Sequence, residues 1–289
     1  MENAELNNMP HSCALKLQAI YGTLKSAERK AADYLMNNAA EIHRLTIVDY
    51  AQKAGCSEAT IVRLSKRLGY DGFPELKSDF AAREADHLIL DYQGLDASED
   101  PATTMHKVLE ASAQAIVDTA AVVNGQAYNG ALDALCEART VMFAGVGDAG
   151  IVAAEAYQRF LRIGHSAAYS QDLDMQLILA SQLRPKDVLL AISHSGQTIS
   201  LLSVVREAER AGATVIAITN YPLSQLAKRA TYVLQTAVFT SYVSGEVMSK
   251  RVAQLCLIES LFVNFMIRKG DVYLSHLRAS NEVVKQNKL

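Results

Sequence analysis

The sequence predicts an all-α domain followed by an α/β domain with a doubly wound parallel sheet. Apolar residues recur at helical spacing through the first third of the chain, whereas short, wholly apolar runs alternate with helical stretches after Arg139. The stretch 93–101 combines acids with glycine, serine and proline, which is typical of a linker. We therefore expect a first domain over 1–85, a connecting segment over 86–130 and a second domain over 131–289.

Composition narrows the class of protein. The chain has 289 residues, 50% of them apolar and 20% charged, which fits a folded protein of two domains. No apolar run approaches the ~20 residues of a membrane span, and the first residues lack a signal-peptide pattern. The cysteines are too widely spaced for a metal motif or a disulfide framework. We expect a cytoplasmic protein without a membrane segment or a bound metal. The net charge of −3 does not by itself indicate a nucleic-acid partner.

The first domain is predicted to consist of short helices. The first spans 26–42, the second runs from a Thr46 cap to Gly55, and the third runs from a Ser57 cap to Gly69. A fourth follows Pro74. Two short helices joined through a glycine-bearing turn form the helix-turn-helix unit, in which the second helix enters the major groove of DNA.

The third helix carries a basic surface opposite its apolar stripe. With Ile61, Leu64 and Leu68 facing the core, the other face presents the candidate DNA contacts, namely Ser57, Ala59, Thr60, Arg63, Lys66 and Arg67. Arginine can donate two hydrogen bonds to guanine, and lysine can neutralise phosphate. From spacing alone, a solvated basic face on a helical bundle explains the pattern equally well. If the basic face instead contacts nucleic acid, the partner is double-stranded DNA.

Four β-type runs occur in the second domain, at 140–144, 188–192, 214–218 and 232–234. Helical stretches separate them, and strands that are apolar throughout are typical of a parallel sheet covered on both faces. Ligands of such folds bind at the carboxyl ends of the strands. The residues that follow each run are therefore the candidates for a binding site.

A glycine-rich turn follows the first run. Its sequence, GVGDAG at 145–150, matches the dinucleotide fingerprint, in which glycines let the backbone approach a phosphate at a helix N-terminus. Asp172 lies near the position of the acid that would bind a ribose. A nicotinamide- or flavin-dependent enzyme is thus one alternative, although any tight strand-to-helix turn favours glycine at these positions.

A hydroxyl-rich turn, SHSGQT at 193–198, follows the second run. Hydroxyls together with the N–H groups of a helix start can cradle a phosphate dianion, whereas a simple helix cap needs only one of them. We expect this turn to bind the phosphate of a ligand without a further cofactor. The candidate ligand-binding residues of the turn are Ser193, His194, Ser195, Gln197 and Thr198.

The first domain resembles a known family of regulators. The segment IVDYAQKAGCSEATIVRLSKRLGYDGFPELK, at 47–77, is similar to the DNA-binding segment of RpiR-type regulators, and LGYDGFPELK is its most specific part. Cys56 stands where valine is more usual, and Leu64 where an aromatic residue is common. Both are packing positions. The resemblance implies a transcription regulator that binds operator DNA.

The second domain resembles the sugar isomerase (SIS) domain, a phosphosugar-binding module. The resemblance rests on FAGVGDAGIVAAEAYQRFLRIGH, ISHSGQTISLL and VIAITNYPLSQLAKRAT. It implies that the three hydroxyls of SHSGQT hold the phosphate, with Gly147 at the companion turn. Asp148 and Ala149 depart from the family pattern, which commonly has a serine at 149. Asp148 could accept sugar hydroxyls, and its charge would also oppose a nearby phosphate.

The combined resemblance implies a regulator of carbohydrate metabolism whose effector is a hexose or amino-sugar phosphate. SIS domains usually pair, so we expect a homodimer or homotetramer. The apolar helix over 252–266 is a candidate pairing surface, with packing in its own core as the alternative. The helix over 103–123 connects the two domains and could transmit the effect of the ligand.

SIS domains also occur in enzymes, so a phosphosugar isomerase or etherase is a second alternative. Such enzymes need a positioned acid or base, and the candidates here are Glu246, His165, His194 and Lys250. None of them lies in a recognisable catalytic motif, although Glu246 is retained as a ligand-binding candidate. Because a DNA-binding domain is fused to the SIS domain, we expect sensing without turnover.

Overall fold

The computed structural model describes residues 9–86, 100–238 and 248–287, and these form two compact units. The first contains 9–86 and 100–113, and its regular elements are helices. The second contains 114–238 and 248–287 and is an α/β fold. An all-α region followed by an α/β region is thus confirmed. The division between the units falls within a helix, and the predicted linker residues 93–99 lie outside the described residues.

Short helices build the first unit. In chain order they are α1 His11–Ile20, α2 Ser26–Asn37, α3 Ile47–Ala54, α4 Glu58–Arg67 and α5 Phe73–Asp86, with 3-10 turns at Tyr21–Thr23 and Ala39–Arg44, and α6 Pro101–Val122 crosses the division. The predicted helix over 26–42 is interrupted after Asn37. The reason is Asn38, which leaves the helical conformation and donates through both its backbone N–H and its side chain to the Tyr34 carbonyl, each at 3.0 Å.

Helices α3 and α4 are joined by the turn that the sequence predicts. Thr46 Oγ1 accepts from the N–H of Asp49 at 3.1 Å, and the Asp49 carboxylate accepts from the N–H of Thr46 at 3.2 Å. Gly55 ends α3 in the left-handed conformation with φ +65°. Ser57 Oγ then caps α4 by accepting from the N–H of Thr60 at 3.3 Å. The predicted caps and the helix-turn-helix pair are confirmed.

Strands and helices alternate in the second unit. After α7 Gly125–Glu137, the order is β1 Val141–Gly145, α8 Asp148–Arg162, β2 Ala167–Ala168, α9 Leu173–Ser181, β3 Val188–Ile192, α10 Ile199–Arg210, β4 Thr214–Thr219, α11 Gln225–Arg229, β5 Tyr232–Gln235, α12 Met248–Lys269 and α13 Asp271–Lys285. The four predicted strands are present with ends shifted by at most one residue. The sequence does not predict β2, because two half-buried alanines form neither an alternating nor a continuous apolar pattern.

The strands of the described chain form one parallel sheet in the order β2-β1-β3-β4-β5. Alternate residues along the buried strands face two separate apolar layers. One layer contains Phe143 and Leu190 and packs against α7, α8 and α12. The other contains Met142 and Leu189 and packs against α9, α10 and α11. This is the doubly wound arrangement that the sequence predicts.

Helix α12 packs mainly in the core of its own unit. Leu257, Leu261 and Phe265 are buried in the layer that also contains Phe143. The apolar pattern over 252–266 is therefore explained largely by this core, which is the alternative weighed for the predicted pairing surface.

Candidate functional site

The order of the strands creates a crevice between β1 and β3. From β1 the chain moves to β2 on one side and then crosses to β3 on the other side of β1. In open parallel sheets such a switch point leaves a crevice at the carboxyl ends of the two strands, where ligands bind. Gly145 and Ile192 are register partners at these ends. The two turns predicted from the sequence, 145–150 and 193–198, therefore lie side by side.

The turn after β3 is held by its own hydroxyl groups. Ser193 is buried, and its Oγ accepts from the N–H of Gly196 at 3.1 Å and lies 3.2 Å from Thr198 Oγ1. Ser195 is exposed, and its Oγ accepts from the N–H of Gln197, also exposed, at 3.3 Å. Because α10 begins directly after Thr198, the N–H groups of its first turn lie at the same place. Hydroxyls and helix N–H groups together can bind an anion.

Gly196 is needed in this turn because no side chain fits. Its φ is +61°, and a Cβ would lie 2.1 Å from Ser224 Oγ and 3.0 Å from Thr219 Oγ1. Ser224 is buried and caps α11 by accepting from the N–H of Ala227 at 3.2 Å. The N–H of Leu226 donates to the Gly196 carbonyl at 3.0 Å. The segment after β4 thus supports the β3 turn from behind, a role that no sequence motif indicates.

The turn after β1 presents bare backbone at the crevice. Gly147 has φ +61°, and a Cβ there would meet no atom within 4 Å, so open space lies over its Cα. Gly145 is crowded instead, since a Cβ would lie 2.5 Å from the Ala149 carbonyl oxygen. Helix α8 begins at Asp148, so the N–H groups of its first turn are available here too. A ligand can therefore approach the backbone closely at Gly147.

Gln176 positions the β1 turn, although nothing in the sequence points to it. The side chain is fully buried at the start of α9, and its Nε2 donates to the carbonyls of Gly145 at 3.2 Å and Ser170 at 3.0 Å. The carbonyl and the N–H of a trans peptide point in opposite directions. By holding the Gly145 carbonyl, Gln176 therefore also sets the direction of the Val146 N–H.

Asp148 is the first residue of α8, and its side chain is 48% exposed. Its Oδ1 accepts from Arg251 Nη1, in the first turn of α12, at 3.0 Å. The positive partner offsets the negative charge that would oppose a phosphate in the neighbouring turn. Ala149, where the family commonly has serine, is buried and supplies no hydroxyl.

His194 is a neutral side chain in the β3 turn. Burial, and then the charge of nearby Lys250, lower the pKa of His194 from 6.5 to about 3. Its ring meets the Tyr221 ring edge-on, with centroids 5.8 Å apart. Its carbonyl accepts from the N–H of Asn220 at 3.0 Å and from Thr219 Oγ1 at 3.1 Å. Near pH 7 the imidazole therefore adds no positive charge to the anion site. The nearby Lys250 can supply positive charge there.

We expect the protein to lose stability as the pH falls from about 6.5 to 5.5. An unfolded chain binds a proton at His194 below about pH 6.5, whereas the folded protein does not bind it until about pH 3. Folding therefore opposes protonation, and this residue lowers the free energy of unfolding by up to about 1.4 kcal/mol per pH unit in that range. Urea unfolding at pH 7.5, 6.5 and 5.5 measures this. His194→Gln should flatten the profile, and replacing the exposed His276 should not. Equal pH dependence in both variants would contradict the assignment.

Another of the acid and base candidates lies away from the crevice. His165 precedes β2 and so lies at the amino edge of the sheet, where it packs against Phe160, Phe265 and Tyr273. Asp172 caps α9, its Oδ1 accepting from the N–H of Met175 at 2.8 Å, which gives it a structural role. Glu246 lies outside the described residues.

Within the described ranges, no cluster of three or more His, Cys, Asp or Glu side chains could hold a metal ion. No helix in those ranges is long and apolar enough to cross a membrane.

In the first unit, α4 presents part of the predicted basic surface. The exposed candidates are Ser57, Ala59, Arg63, Lys66 and Arg67. A capped helix N-terminus with two cations nearby suits the phosphates and base edges of DNA. Lys30 of α2, also exposed, was not foreseen. Burial raises the pKa of the Cys56 thiol, and the charge of Lys30 acts against this, which places Lys30 beside the α3–α4 turn.

Thr60 is not placed as predicted, whereas Arg67 is exposed as predicted but contacts two residues of its own unit. Placing Thr60 on the exposed face is wrong, because it is buried with its Oγ1 2.9 Å from Ser57 Oγ. Arg67 Nη1 donates to the buried carboxylate of Glu28 at 2.9 Å, and Nη2 donates to Thr23 Oγ1 at 2.5 Å. Arg67 therefore links the end of α4 to the start of α2.

Two family models match this chain. One, described as "Helix-turn-helix domain, rpiR family", matches residues 12–87, and the other, described as "SIS domain", matches residues 134–264. They fall in the helical and the α/β unit respectively, as the two resemblances predict.

Several curated proteins are similar over most of the chain. An uncharacterized HTH-type transcriptional regulator of Caldanaerobacter subterraneus is 32% identical over 263 residues, covering 91% of this chain and 93% of that protein. Another, of Thermotoga maritima, is 28% identical over 249 residues, covering 86% and 89%. The bifunctional protein glk of Burkholderia thailandensis is 33% identical over 89% of this chain, but the match spans only 40% of that longer protein.

Solved structures share the fold. The Vibrio vulnificus NanR protein complexed with ManNAc-6P superposes with a TM-score of 0.61 at 24% identity, covering 93% of this chain and 97% of that one. The sugar isomerase domain of an RpiR transcription factor from Sphaerobacter thermophilus gives 0.56 at 21% identity, covering 61% and 97%.

Proposed function

The chain belongs to the RpiR family of helix-turn-helix regulators with a SIS domain, and on that premise we propose that it is a transcription regulator controlled by a sugar phosphate. Helix α4 binds double-stranded operator DNA, and the crevice between β1 and β3 binds the effector. One observation supports this location of the effector site. Two turns suited to an anion lie side by side at the switch point of the sheet, one with the exposed hydroxyl of Ser195 and one with bare Gly147.

Each residue of the crevice has a distinct role in this proposal. Ser195 and Thr198 donate to the phosphate from the open side of the β3 turn, whereas the buried Ser193 orients the turn through Gly196. Lys250 adds positive charge. The exposed Gln197, the Asp148 carboxylate and the N–H groups near Gly147 complete the surroundings of the sugar, and Glu246 stays a proposed ligand residue.

The effector class is a hexose or amino-sugar phosphate. Because the V. vulnificus structure holds ManNAc-6P, that compound heads the panel, with glucose 6-phosphate, fructose 6-phosphate, the same sugars without phosphate, and NAD. Calorimetry of the full-length protein should find binding for at least one phosphorylated sugar and for none of its dephosphorylated partners. The same compound should change the affinity for operator DNA. Binding of NAD without any sugar phosphate would reject the proposal in favour of the dinucleotide alternative.

We propose that the bound sugar phosphate leaves unaltered. DNA binding and effector sensing require a difference in affinity between two states, and no chemical step. Incubation with the panel followed by NMR should recover every compound. Protein-dependent conversion at about 1 per second or faster, which is typical of enzymes, would support an isomerase or etherase instead.

Arg63→Ala should weaken operator binding by about 1–3 kcal/mol and relax sequence preference, because an arginine on the exposed face of α4 can donate two bonds to guanine. Lys66→Ala should weaken binding to all DNA sequences alike. It should also make the affinity less dependent on salt, by an amount that corresponds to about one lost phosphate contact. Fluorescence anisotropy with a labelled operator measures both. Lys53 of α3, which is exposed and pairs with Glu41, provides the control substitution to alanine. Unchanged affinity in both folded α4 variants would remove these residues from the interface.

We also propose a homo-oligomer, dimer or tetramer. A pair of reading helices matches a palindromic operator with half-sites about 34 Å apart, and light scattering of the free protein tests the assembly. A monomer at micromolar concentration would contradict it.

A further inference from the structure

The first turn of α12 reaches both sides of the crevice. Arg251 binds Asp148 beside the β1 turn at 3.0 Å, and Lys250, the preceding residue, is close enough to His194 in the β3 turn for its charge to lower that histidine's pKa. Two successive cations of one helix therefore lie near two adjacent turns. The contact between Arg251 and Asp148 joins residues that are 103 positions apart in the chain.

Asp148 forms an ion pair with Arg251, but its side chain remains accessible to a ligand. Its side chain is 48% exposed and that of Arg251 is 30% exposed, and the contact uses Oδ1 of the carboxylate. An ionised carboxylate only accepts hydrogen bonds, and its two oxygens offer about four acceptor sites. Acceptor capacity thus remains at the crevice after Arg251 has bound. A sugar hydroxyl or an amide N–H can use it, whereas a second anionic group cannot.

We propose that the Asp148–Arg251 pair selects sugar phosphates whose only anionic group is the phosphate. The inference rests on the proposed effector site and deepens it. Asp148 accepts hydroxyl or amide donors of the sugar and repels a carboxylate or second phosphate. Arg251 limits the reach of that charge, so the phosphate in the adjacent β3 turn is not repelled. Neighbouring strands lie about 4.8 Å apart, so one hexose phosphate can extend from the β3 turn to the turn that contains Asp148.

The experiment separates this role from simple helix attachment. Full-length protein and the variants Asp148→Asn, Arg251→Gln and the double substitution are titrated by calorimetry with inorganic phosphate, glucose 6-phosphate and 6-phosphogluconate, which carries an added carboxylate. Asp133 and Arg268 form an analogous exposed pair toward the other end of α12, and Asp133→Asn with Arg268→Gln is the matched control.

Three results are expected. The native protein binds glucose 6-phosphate at least about 10-fold more tightly than 6-phosphogluconate, and Asp148→Asn removes most of that preference. Arg251→Gln weakens inorganic phosphate about 10-fold, because the Asp148 charge is no longer offset. The double substitution recovers the phosphate affinity that Arg251→Gln loses. The control variants leave all three affinities unchanged.

The outcomes also separate this inference from the proposed function. If the native protein binds neither phosphate nor any sugar phosphate of the wider panel, the effector site itself is wrong. If it binds them but Asp148→Asn leaves the preference unchanged, or the double substitution recovers nothing, the pair only ties α12 to α8 and the inference is wrong.

Discussion

A protein with Ser195→Ala and Thr198→Val should bind its sugar phosphate at least about 100-fold more weakly than the native protein. Each hydroxyl donates one hydrogen bond to an anionic oxygen, and such bonds contribute about 1.5–3 kcal/mol each. Losing two of them therefore costs about 3 kcal/mol or more, which is two orders of magnitude in affinity. Valine keeps the shape of threonine, so the turn should remain folded.

The same variant should be locked in its ligand-free behaviour toward operator DNA. Affinity for the operator without effector should be native, because the substituted residues lie in the α/β unit. Ser181→Ala is the control, since Ser181 is an exposed hydroxyl at the end of α9, on the opposite edge of the sheet. If operator binding by the double variant still changes at the effector concentrations that act on the native protein, the phosphate binds elsewhere.

Ser193 is expected to behave differently from these two residues. Its Oγ holds the Gly196 N–H from inside the turn, so its loss loosens the cradle rather than removing a donor. The three hydroxyls, equivalent in the motif, thus separate into one that positions the turn and two that can meet a ligand.

Arg67→Ala should destabilise the helical unit by about 2–3 kcal/mol. Removing this side chain leaves the buried Glu28 carboxylate without its charged partner, and leaving a buried charge uncompensated is costly. The backbone N–H of Lys25, and secondarily Arg67, hold the pKa of Glu28 below its usual value. This loss is smaller than that expected for a fully buried ion pair, because the Arg67 side chain is 33% exposed. Urea unfolding followed by circular dichroism measures the loss.

The second substitution of a double-mutant cycle identifies the cause. Glu28→Gln in the Arg67→Ala background should recover part of the stability, because the uncompensated charge is then gone. Arg63→Ala, on the same helix, should leave stability within about 0.5 kcal/mol. If Arg67→Ala unfolds at the same urea concentration as the native protein but binds the operator more weakly, then Arg67 contacts DNA and the structural role is wrong.

Local signals account for what the sequence predicts correctly. The caps at Thr46 and Ser57 and the stop at Gly55 act within three or four residues, so they are legible before any tertiary contact is known. Strands β1, β3 and β4 are apolar throughout because both their faces are covered. For the same reason the two turns of the crevice can be named from the chain alone.

Surface placement on a helix is less secure. The spacing puts Arg63 and Lys66 on the open face of α4, whereas Thr60 and Arg67 lie closer to the apolar stripe that contains Leu64. Thr60 turns inward because its hydroxyl meets that of Ser57, and Arg67 turns toward Glu28. Helical periodicity fixes the direction of the Cα–Cβ bond but not the contacts of a long or polar side chain.

The sequence by itself determined four of the strands and the helices between them, the helix-turn-helix pair, the doubly wound sheet and the two turns that flank the crevice. Only the tertiary structure decided which residues support those turns. Gln176 reaches Gly145 across 31 positions, Arg67 reaches Glu28 across 39, and Arg251 reaches Asp148 across 103. Periodicity and capping are interactions between near neighbours, so they leave a pattern along the chain. A single contact between distant segments depends on how strands and helices pack, and it leaves no such pattern.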